Sequence, residues 1–581
     1  MSTAHVPQQP QQQQHTGAAP LPDLPPTPPH ASEATRLLCV GTYLDAEYRD
    51  HVIEELRLNE QRVVAPSLGL DAARVLVHAL RARRRDLLWS GAVVGLWAVA
   101  IPLTDGLLYY LAFSGLLLAA APLLRGRAAE PPWYRVLSAF LARWTGRLGT
   151  AATVLVLFAV AFAGGSDSDP GSGHPYGDPY GSGGGGVPAA IAAENAAGAE
   201  PWRAWLGLCL LVLIGLCACA PRVQLARALS AELSPQRFPD AAGDPAERIE
   251  DARVRRLLAR IRLEQHAPLV MYHEARPFCG AGSAHETWVL AVELRPDAEQ
   301  RQQQPLSNRV ILERVRPLIE QLRVPAEYAG PGVRDRLRRL EIDECVFLPL
   351  DGLPSRDETP YTGAAFEHHR ARAVEEGGEK RRHFLRIRVG GWEEELVVTV
   401  FVRLHTQGRM LMLEIAPHVL EPIRADFKDA DRTSHRFRSL HLFGKAADAA
   451  VLAPGAFGRS LISLVRGAAY AWRLLTGGHA NALPDGPARS VRELAAAPAG
   501  STFQDMDVER YLRSIQDRVA HGVRMALADA GYETGEFVRR IVNISNGAVH
   551  IGRADHSSFA FGEHGSAETV NSGSEPQKGS H

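Results

Sequence analysis

Four apolar stretches, Leu87–Leu103, Leu107–Leu124, Leu148–Gly164 and Trp205–Ala220, constrain this chain more than any other feature. Each is close to the ~20 residues that carry a helix across a bilayer. In hydrocarbon every backbone N–H and C=O must be paired within its own segment, so each stretch is expected to be helical. The chain therefore reads as a multi-pass protein of the cell (plasma) membrane.

Charge around the stretches sets their orientation, because Lys and Arg in short flanking segments stay cytoplasmic. Arg81-Ala82-Arg83-Arg84-Arg85 precedes the first stretch, and the turn Thr104-Asp105-Gly106 carries no basic residue. Arg125, Arg127, Arg135, Arg143 and Arg147 lie between the second and third. Beyond the third, residues 165–201 hold Asp167, Asp169, Asp178, Glu194 and Glu200 without one Lys or Arg. Arg222 and Arg227 follow the fourth, and only Arg203 dissents. The expected topology is two helical hairpins with both termini inside. The central turns of the stretches carry no ionisable side chain, so a transport pathway is not expected.

Composition divides the remainder. Residues 1–33 form a Pro/Gln-rich disordered tail and 34–86 a small cytoplasmic α/β segment. Hairpin one occupies 87–124, a basic connector 125–147, and hairpin two 148–220 with its acidic, Gly-rich external loop at 165–201. Residues 221–541 make a cytoplasmic α+β domain, and 542–581 a Gly/Ser-rich tail, β-prone or disordered. The formal net charge of -1 argues against a nucleic-acid partner for the whole chain. The six cysteines show no Cys-x-x-Cys or metal spacing, and neither metal nor cofactor is expected.

Within 34–86 the pattern suggests a strand at Arg36–Gly41, a helix from Tyr43, an extended Arg62–Pro66, and a helix capped by Asp71. Farther on, strands are expected at Leu269–His273, Thr287–Leu294, Cys345–Leu350, Phe384–Val389, Glu395–His405 and Met410–Ala416. Asn308–Leu322 is an amphipathic helix in which Pro317 predicts a kink or early end. Leu396, Val398, Val400, Val402 and Leu404 share one strand face, while Val397, Thr399, Phe401 and Arg403 make a mixed face expected to be partly wet. His368-His369 reads as an exposed loop. Gly458–Thr476 carries Arg459, Arg466 and Arg473 on one stripe and is expected to lie on the membrane or against the sheet. The fold class is thus membrane α-helical, four spans in two hairpins, plus an α+β domain with an antiparallel sheet flanked by helices.

Two segments are candidates for function. Pro277-Phe278-Cys279-Gly280-Ala281-Gly282 is glycine-rich and follows a strand, but it lacks the Gly-x-x-x-x-Gly-Lys-Ser/Thr string and opens no helix, so a tight turn is the preferred reading. A ligand at this loop would meet Tyr272, Pro277, Phe278, Gly280, Gly282 and His285. A Cys279/His pair is conceivable chemistry that nothing in the spacing requires. In the tail, Val542–Gly552 alternates apolar and small or polar residues across Asn546-Gly547, the composition of a stackable β-arch. Asn543, Ile544, Val549, Ile551 and Gly552 are its candidate self-assembly residues.

Val549-His550-Ile551-Gly552 resembles the core of bacterial amyloid-signalling motifs of the receptor-interacting-protein homotypic type, although His550 stands where those motifs usually have Gln. Val64–Ser67, an extended Val-Ala-Pro-Ser before a helix and the first span, and the loop Tyr272–Gly282 resemble a group of uncharacterised actinobacterial membrane proteins. That second resemblance implies no activity. The expected partners are the lipid bilayer and a protein, or a second copy, engaged through the tail. A membrane-anchored signalling or scaffold protein without identifiable catalysis is the functional expectation; the alternative is a membrane-tethered enzyme or small-molecule sensor using the Tyr272–Glu286 loop.

Overall fold

The computed structural model describes residues 28–67, 69–126, 131–163, 200–297, 304, 306–323, 337, 339–375, 378–391, 396–432, 435, 442–477, 482–497 and 501–545. Three helices, α3 (Ala72–Leu103), α5 (Trp133–Ala163) and α6 (Pro201–Ala231), are long and apolar enough to cross a membrane. The second apolar stretch yields a shorter helix, α4 (Tyr109–Arg125), of 17 residues. So three of the four expected spans reach full length among the described residues. Helix α4 starts late because the chain reverses just before it, with Asp105 (φ 52) and Gly106 (φ 82) both left-handed. The dissenting Arg203 has a partner at this turn: its guanidinium lies 2.5 Å from Asp105. Leu155, Phe162 and Val212 are more than half exposed on these helices, large apolar side chains turned outward.

Asp71 caps α3, accepting the N–H groups of Ala73 and Arg74 at 2.9 and 3.3 Å. The helix then runs unbroken from a packed core into its apolar stretch. Val75, Leu76 and Ala79 in its first turns are fully buried. They pack with α1 (Glu33–Leu44), α2 (Ala46–Ile53) and α7 (Ala252–His266), together with Phe238, Phe427 and Val491. Arg36–Gly41, expected as a strand, lies inside α1. Ser32 Oγ accepts the Thr35 N–H and starts the helix, and the apolar run is buried on every side, a condition in which strand and helix have the same pattern. Of Arg62–Pro66, expected to be extended, Arg62 forms an isolated parallel bridge with Asp485 and residues 63–66 are in neither helix nor strand.

Seven strands form the sheet: β1 (Leu269–Tyr272), β2 (Ser283–Ala284), β3 (Trp288–Glu293), β4 (Leu340–Pro349), β5 (Arg382–Gly391), β6 (Leu396–Gln407) and β7 (Met410–Leu420). The order is β1-β4-β5-β6-β7-β2, with β3 also on β7. Strand β1 is parallel to β4, so the sheet is mixed rather than antiparallel throughout. Gly408, at φ 63, turns the tight β6–β7 hairpin, whose last pair is Gln407 with Met410.

One face of β4–β7 packs Leu385, Ile387, Val398 and Val400 onto α8 (Asn308–Glu320) and α11 (Thr502–Asp529), with Phe537 of α12 (Gly535–Ser545) closing the end. Pro317 sits within α8, and the α-helix ends one turn later. The second face is not wet: Val397, Thr399, Phe401 and Arg403 are all 4–5% exposed. His368-His369 lies in α9 (Gly363–Glu375), not in a loop. The stripe of arginines belongs to α10 (Leu442–Thr476), which packs along α3, α4 and α6 rather than on the sheet. Small residues permit this: Gly458 meets Ala119 and the Gly115 backbone, and the Phe457 ring stands 5.7 Å from Trp97. Asn543 and Ile544 fall in the last turn of α12, so this part of the expected β-arch is helical. The Phe537/Ile541 spacing packs that helix on the core. Val549, Ile551 and Gly552 lie outside the described residues.

Candidate functional site

The second sheet face is where the glycine-rich loop does its work. Period-two alternation on β4, β5 and β6 brings Glu341 opposite Arg388, Asp343 opposite Arg386, and Cys345 opposite Phe384. Arg388 in turn faces Thr399, and Arg386 faces Phe401. The face therefore has a charged end and an aromatic middle. Phe278 from the loop inserts into that middle. Its ring centroid lies 5.3 Å from Phe347, 5.7 Å from Phe384, 4.8 Å from Phe401 and 4.6 Å from His418. Burial lowers the pKa of His418, which favours a neutral ring in this apolar contact.

Two glycines bring the loop back. Gly280 and Gly282 have φ near +100, a region that L side chains rarely adopt, and a Cβ on either would overlap backbone. At Gly280 the obstacle is the carbonyl oxygen of Pro66; at Gly282 it is that of Val419. Their N–H groups converge on one carboxylate, donating to Glu493 Oε1 at 2.7 and 3.0 Å. Glu493 opens a short 3-10 turn, Glu493–Ala495. The loop is thus an anion-accepting nest whose occupant comes from the chain itself.

The two resemblance-bearing segments meet here, since Pro66 belongs to Val64–Ser67. That segment is fixed by Glu264, whose Oε2 accepts the Val64 N–H at 2.9 Å and pairs with Arg356 at 2.5 Å, while its Oε1 accepts from Arg356 Nε at 2.8 Å. Beneath the loop lies a cavity of about 40 Å³ bordered by Pro66, Phe278, Arg386, Arg388 and Thr399. It has room for a water or two, not for a substrate. Arg386 donates from Nε to Asp343 at 2.8 Å; burial alone would depress its pKa, but the carboxylate holds it above the ordinary value.

The remaining candidates do not converge. The Tyr272 hydroxyl donates to the Lys380 carbonyl at 3.0 Å. His273 Nε2 is 3.7 Å from Asp485, whereas His285 Nε2 is 3.1 Å from Glu509 on α11. Burial, then the nearby Glu493 charge, pushes the Cys279 thiol up, the opposite of what an attacking thiolate needs. The Cys279 thiol donates to Glu493 Oε2 at 3.9 Å, and among the described residues no histidine takes that place. Among the described residues no group of His, Cys, Asp and Glu is arranged to hold a metal ion.

Sequence reasoning missed Glu493, which sits 213 residues from Gly280 in an unremarkable Arg-Glu-Leu. The ion pairs of the two buried arginines had a legible signal: Glu341-Ile342-Asp343 and Arg386-Ile387-Arg388 are complementary at period two. No curated protein matches the chain, and no solved structure does. Residues 287–557 match the family model of the AbeC-like domain, just under half of the chain, beginning after the glycine loop and reaching into the tail.

Proposed function

We propose that this is an integral membrane protein that holds an α+β scaffold or signalling domain rigidly at the cytoplasmic face, with both termini inside. In this reading α4 also crosses, since ~17 residues is the lower limit for a span, giving two hairpins. The basic flanks set the cytoplasmic side, and the Arg203–Asp105 pair removes the one objection on the outer side. The tail beyond Ile541 recruits a protein partner or a second copy.

The observation that carries the reading is the continuity of α3, whose capped first turns are core and whose last turns are apolar surface. A flexible tether would leave the domain free to tumble; an unbroken helix fixes its height and orientation over the bilayer. The glycine loop strengthens the same joint by fastening Pro66, just before α3, to the sheet and to Glu493. Dispersal of Tyr272, His273 and His285 weighs against catalysis at this loop.

The test is cross-linking of the full chain in its native membranes, with and without the residues after Ile541, followed by identification of captured chains. Loss of a specific partner or of self-cross-links in the truncated protein supports the tail's role; an unchanged set overturns it. Membrane-impermeant labelling of Ser172→Cys but not of Ser2→Cys or Ser580→Cys supports the orientation, and the reverse pattern overturns it.

A further inference from the structure

A second cavity, of about 250 Å³, opens where α2, α3 and α10 meet. Its level is set by Arg83, one turn before the apolar stretch of α3 begins at Leu87. Helix α10 runs antiparallel beside α3, and three contacts fix the register. The Phe457 ring faces Trp97, Ser463 Oγ donates to Asp86 at 2.6 Å, and the Arg83 guanidinium donates to the Arg466 carbonyl at 3.2 Å while lying 3.9 Å over the Tyr470 ring. Helix α2 closes the third side. Its Asp50 is 3.4 Å from Arg83, and Glu54, which caps its C-terminus, is 2.8 Å from Arg473.

Three arginines and the carboxylates of α2 therefore line one concavity. Arg83 and Arg473 have ion-pair partners there. The Arg466 guanidinium has none among the described residues and is exposed at the rim. Beside it on α10 Val465 is 62% exposed, and Trp472 and Leu475, 69% and 84% exposed, follow about two turns farther out from the apolar stretch. Large apolar side chains left bare at the edge of an apolar layer, with a Trp among them, mark the level where headgroups lie. The lining balances positive against negative groups. A bare anion would meet carboxylates as well as Arg466, whereas a group bearing both charges is matched at both ends.

We infer that this cavity is a binding site for a phosphodiester headgroup that carries an ammonium group, as in phosphatidylethanolamine. Arg466 takes the phosphate with charge-assisted hydrogen bonds, and the α2 carboxylates around Asp50 face the ammonium. The acyl chains lie outside, along the apolar surface that continues from Val465. The inference rests on the membrane reading above. The site lies where α2, α3 and α10 are pinned together, so an occupied cavity would brace the joint between the soluble core and the spans.

The test uses the full chain purified in detergent, with lipid retention read by native mass spectrometry. Added phosphatidylethanolamine is expected to be retained over phosphatidylglycerol, and Arg466→Gln to cut that retention about tenfold, the loss of one charged hydrogen bond. Asp50→Asn is expected to shift the preference toward phosphatidylglycerol, an independent reading should Arg466→Gln misfold. Equal retention of both lipids, or unchanged retention in both variants, overturns the proposal. Soluble glycerophosphoethanolamine is the other source of the same chemistry. Binding of it as tight as of the lipid would overturn the lipid assignment; failure to compete supports it. Resistance of the protein to alkaline carbonate extraction from membranes is scored separately. Its loss would sink the membrane reading, while lipid-selectivity results address the cavity.

Discussion

Gly280 sits directly against the carbonyl oxygen of Pro66, so closely that a Cβ on the glycine would overlap it. The contact joins a loop on the sheet to the segment that leads into α3, and it is available only to a residue without a side chain at φ 101. Gly280→Ala should destabilise the protein by about 2–3 kcal/mol, from overlap plus a strained backbone. Gly352→Ala is the control: its φ is 86 but nothing lies within 4 Å, so about 1 kcal/mol is expected. Thermal unfolding of the two variants in the same detergent would compare them. Equal losses would mean that the Pro66 contact carries no weight.

Glu493 holds two loop N–H groups, so its variants should separate charge from hydrogen bonding. Glu493→Gln keeps an acceptor and should cost about 1 kcal/mol, whereas Glu493→Ala strands two donors and should cost about 2–3 kcal/mol. Hydrogen exchange at Gly280 and Gly282 is the direct readout. It should quicken strongly in the alanine variant and little in the glutamine one.

Phe278 touches four rings on the second sheet face. Phe278→Ala should remove about 3–5 kcal/mol by lost burial and a residual cavity, and Phe278→Leu about half of that. Chemical denaturation of the full chain in detergent, followed by near-ultraviolet circular dichroism, would read both. A loss below 1 kcal/mol for the alanine would show that the loop does not plug the face.

Acid should unfold the protein through particular carboxylates. The His383 hydrogen bond, with Arg370 beside it, lowers Glu344 from 4.5 to about 2. At Asp244, burial alone would raise the pKa. The hydrogen bonds from His78 and Arg74 more than offset it and hold the carboxyl well below the ordinary range. A depressed folded pKa gives stability that is complete above the unfolded value and is lost as pH falls through the folded one. Glu344 should therefore contribute on the order of 2 kcal/mol above about pH 4.5, discounted for partial exposure and fading toward pH 2. Glu344→Gln should lower stability at neutral pH and flatten this part of the profile. A parallel, merely shifted profile would contradict it.

The arginine pairs on the second face predict a different outcome from their removal singly and together. Asp343→Leu leaves the buried Arg386 guanidinium without its half-exposed carboxylate partner and should destabilise by about 2 kcal/mol or more. Pairing it with Arg386→Met should recover much of that loss, because the double variant no longer buries an unpaired charge. A double variant worse than the sum of the singles would refute this.

The sequence by itself determined whatever is written locally. Hydropathy marked α3, α5 and α6, and the apolar stretch that became the shorter α4, because a bilayer-length run needs no distant partner to be recognised. Alternation found the strands β3 to β7 within a few residues, and Asp71 announced the start of α3 through its own side-chain chemistry. Where local pattern was ambiguous it failed: the apolar run Arg36–Gly41 suits a buried helix as well as a strand, and Ser32 with the surrounding core decided for the helix. The tertiary structure alone decided the parallel pairing of β1, the burial of the second sheet face, and the path of α10 beside the spans. It also made the glycine loop a closed joint, because the occupant of its nest, Glu493, and the wall behind it, Pro66, come from parts of the chain that carry no trace of the loop. Such contacts depend on which surfaces folding brings together, and residue-by-residue pattern holds no record of that.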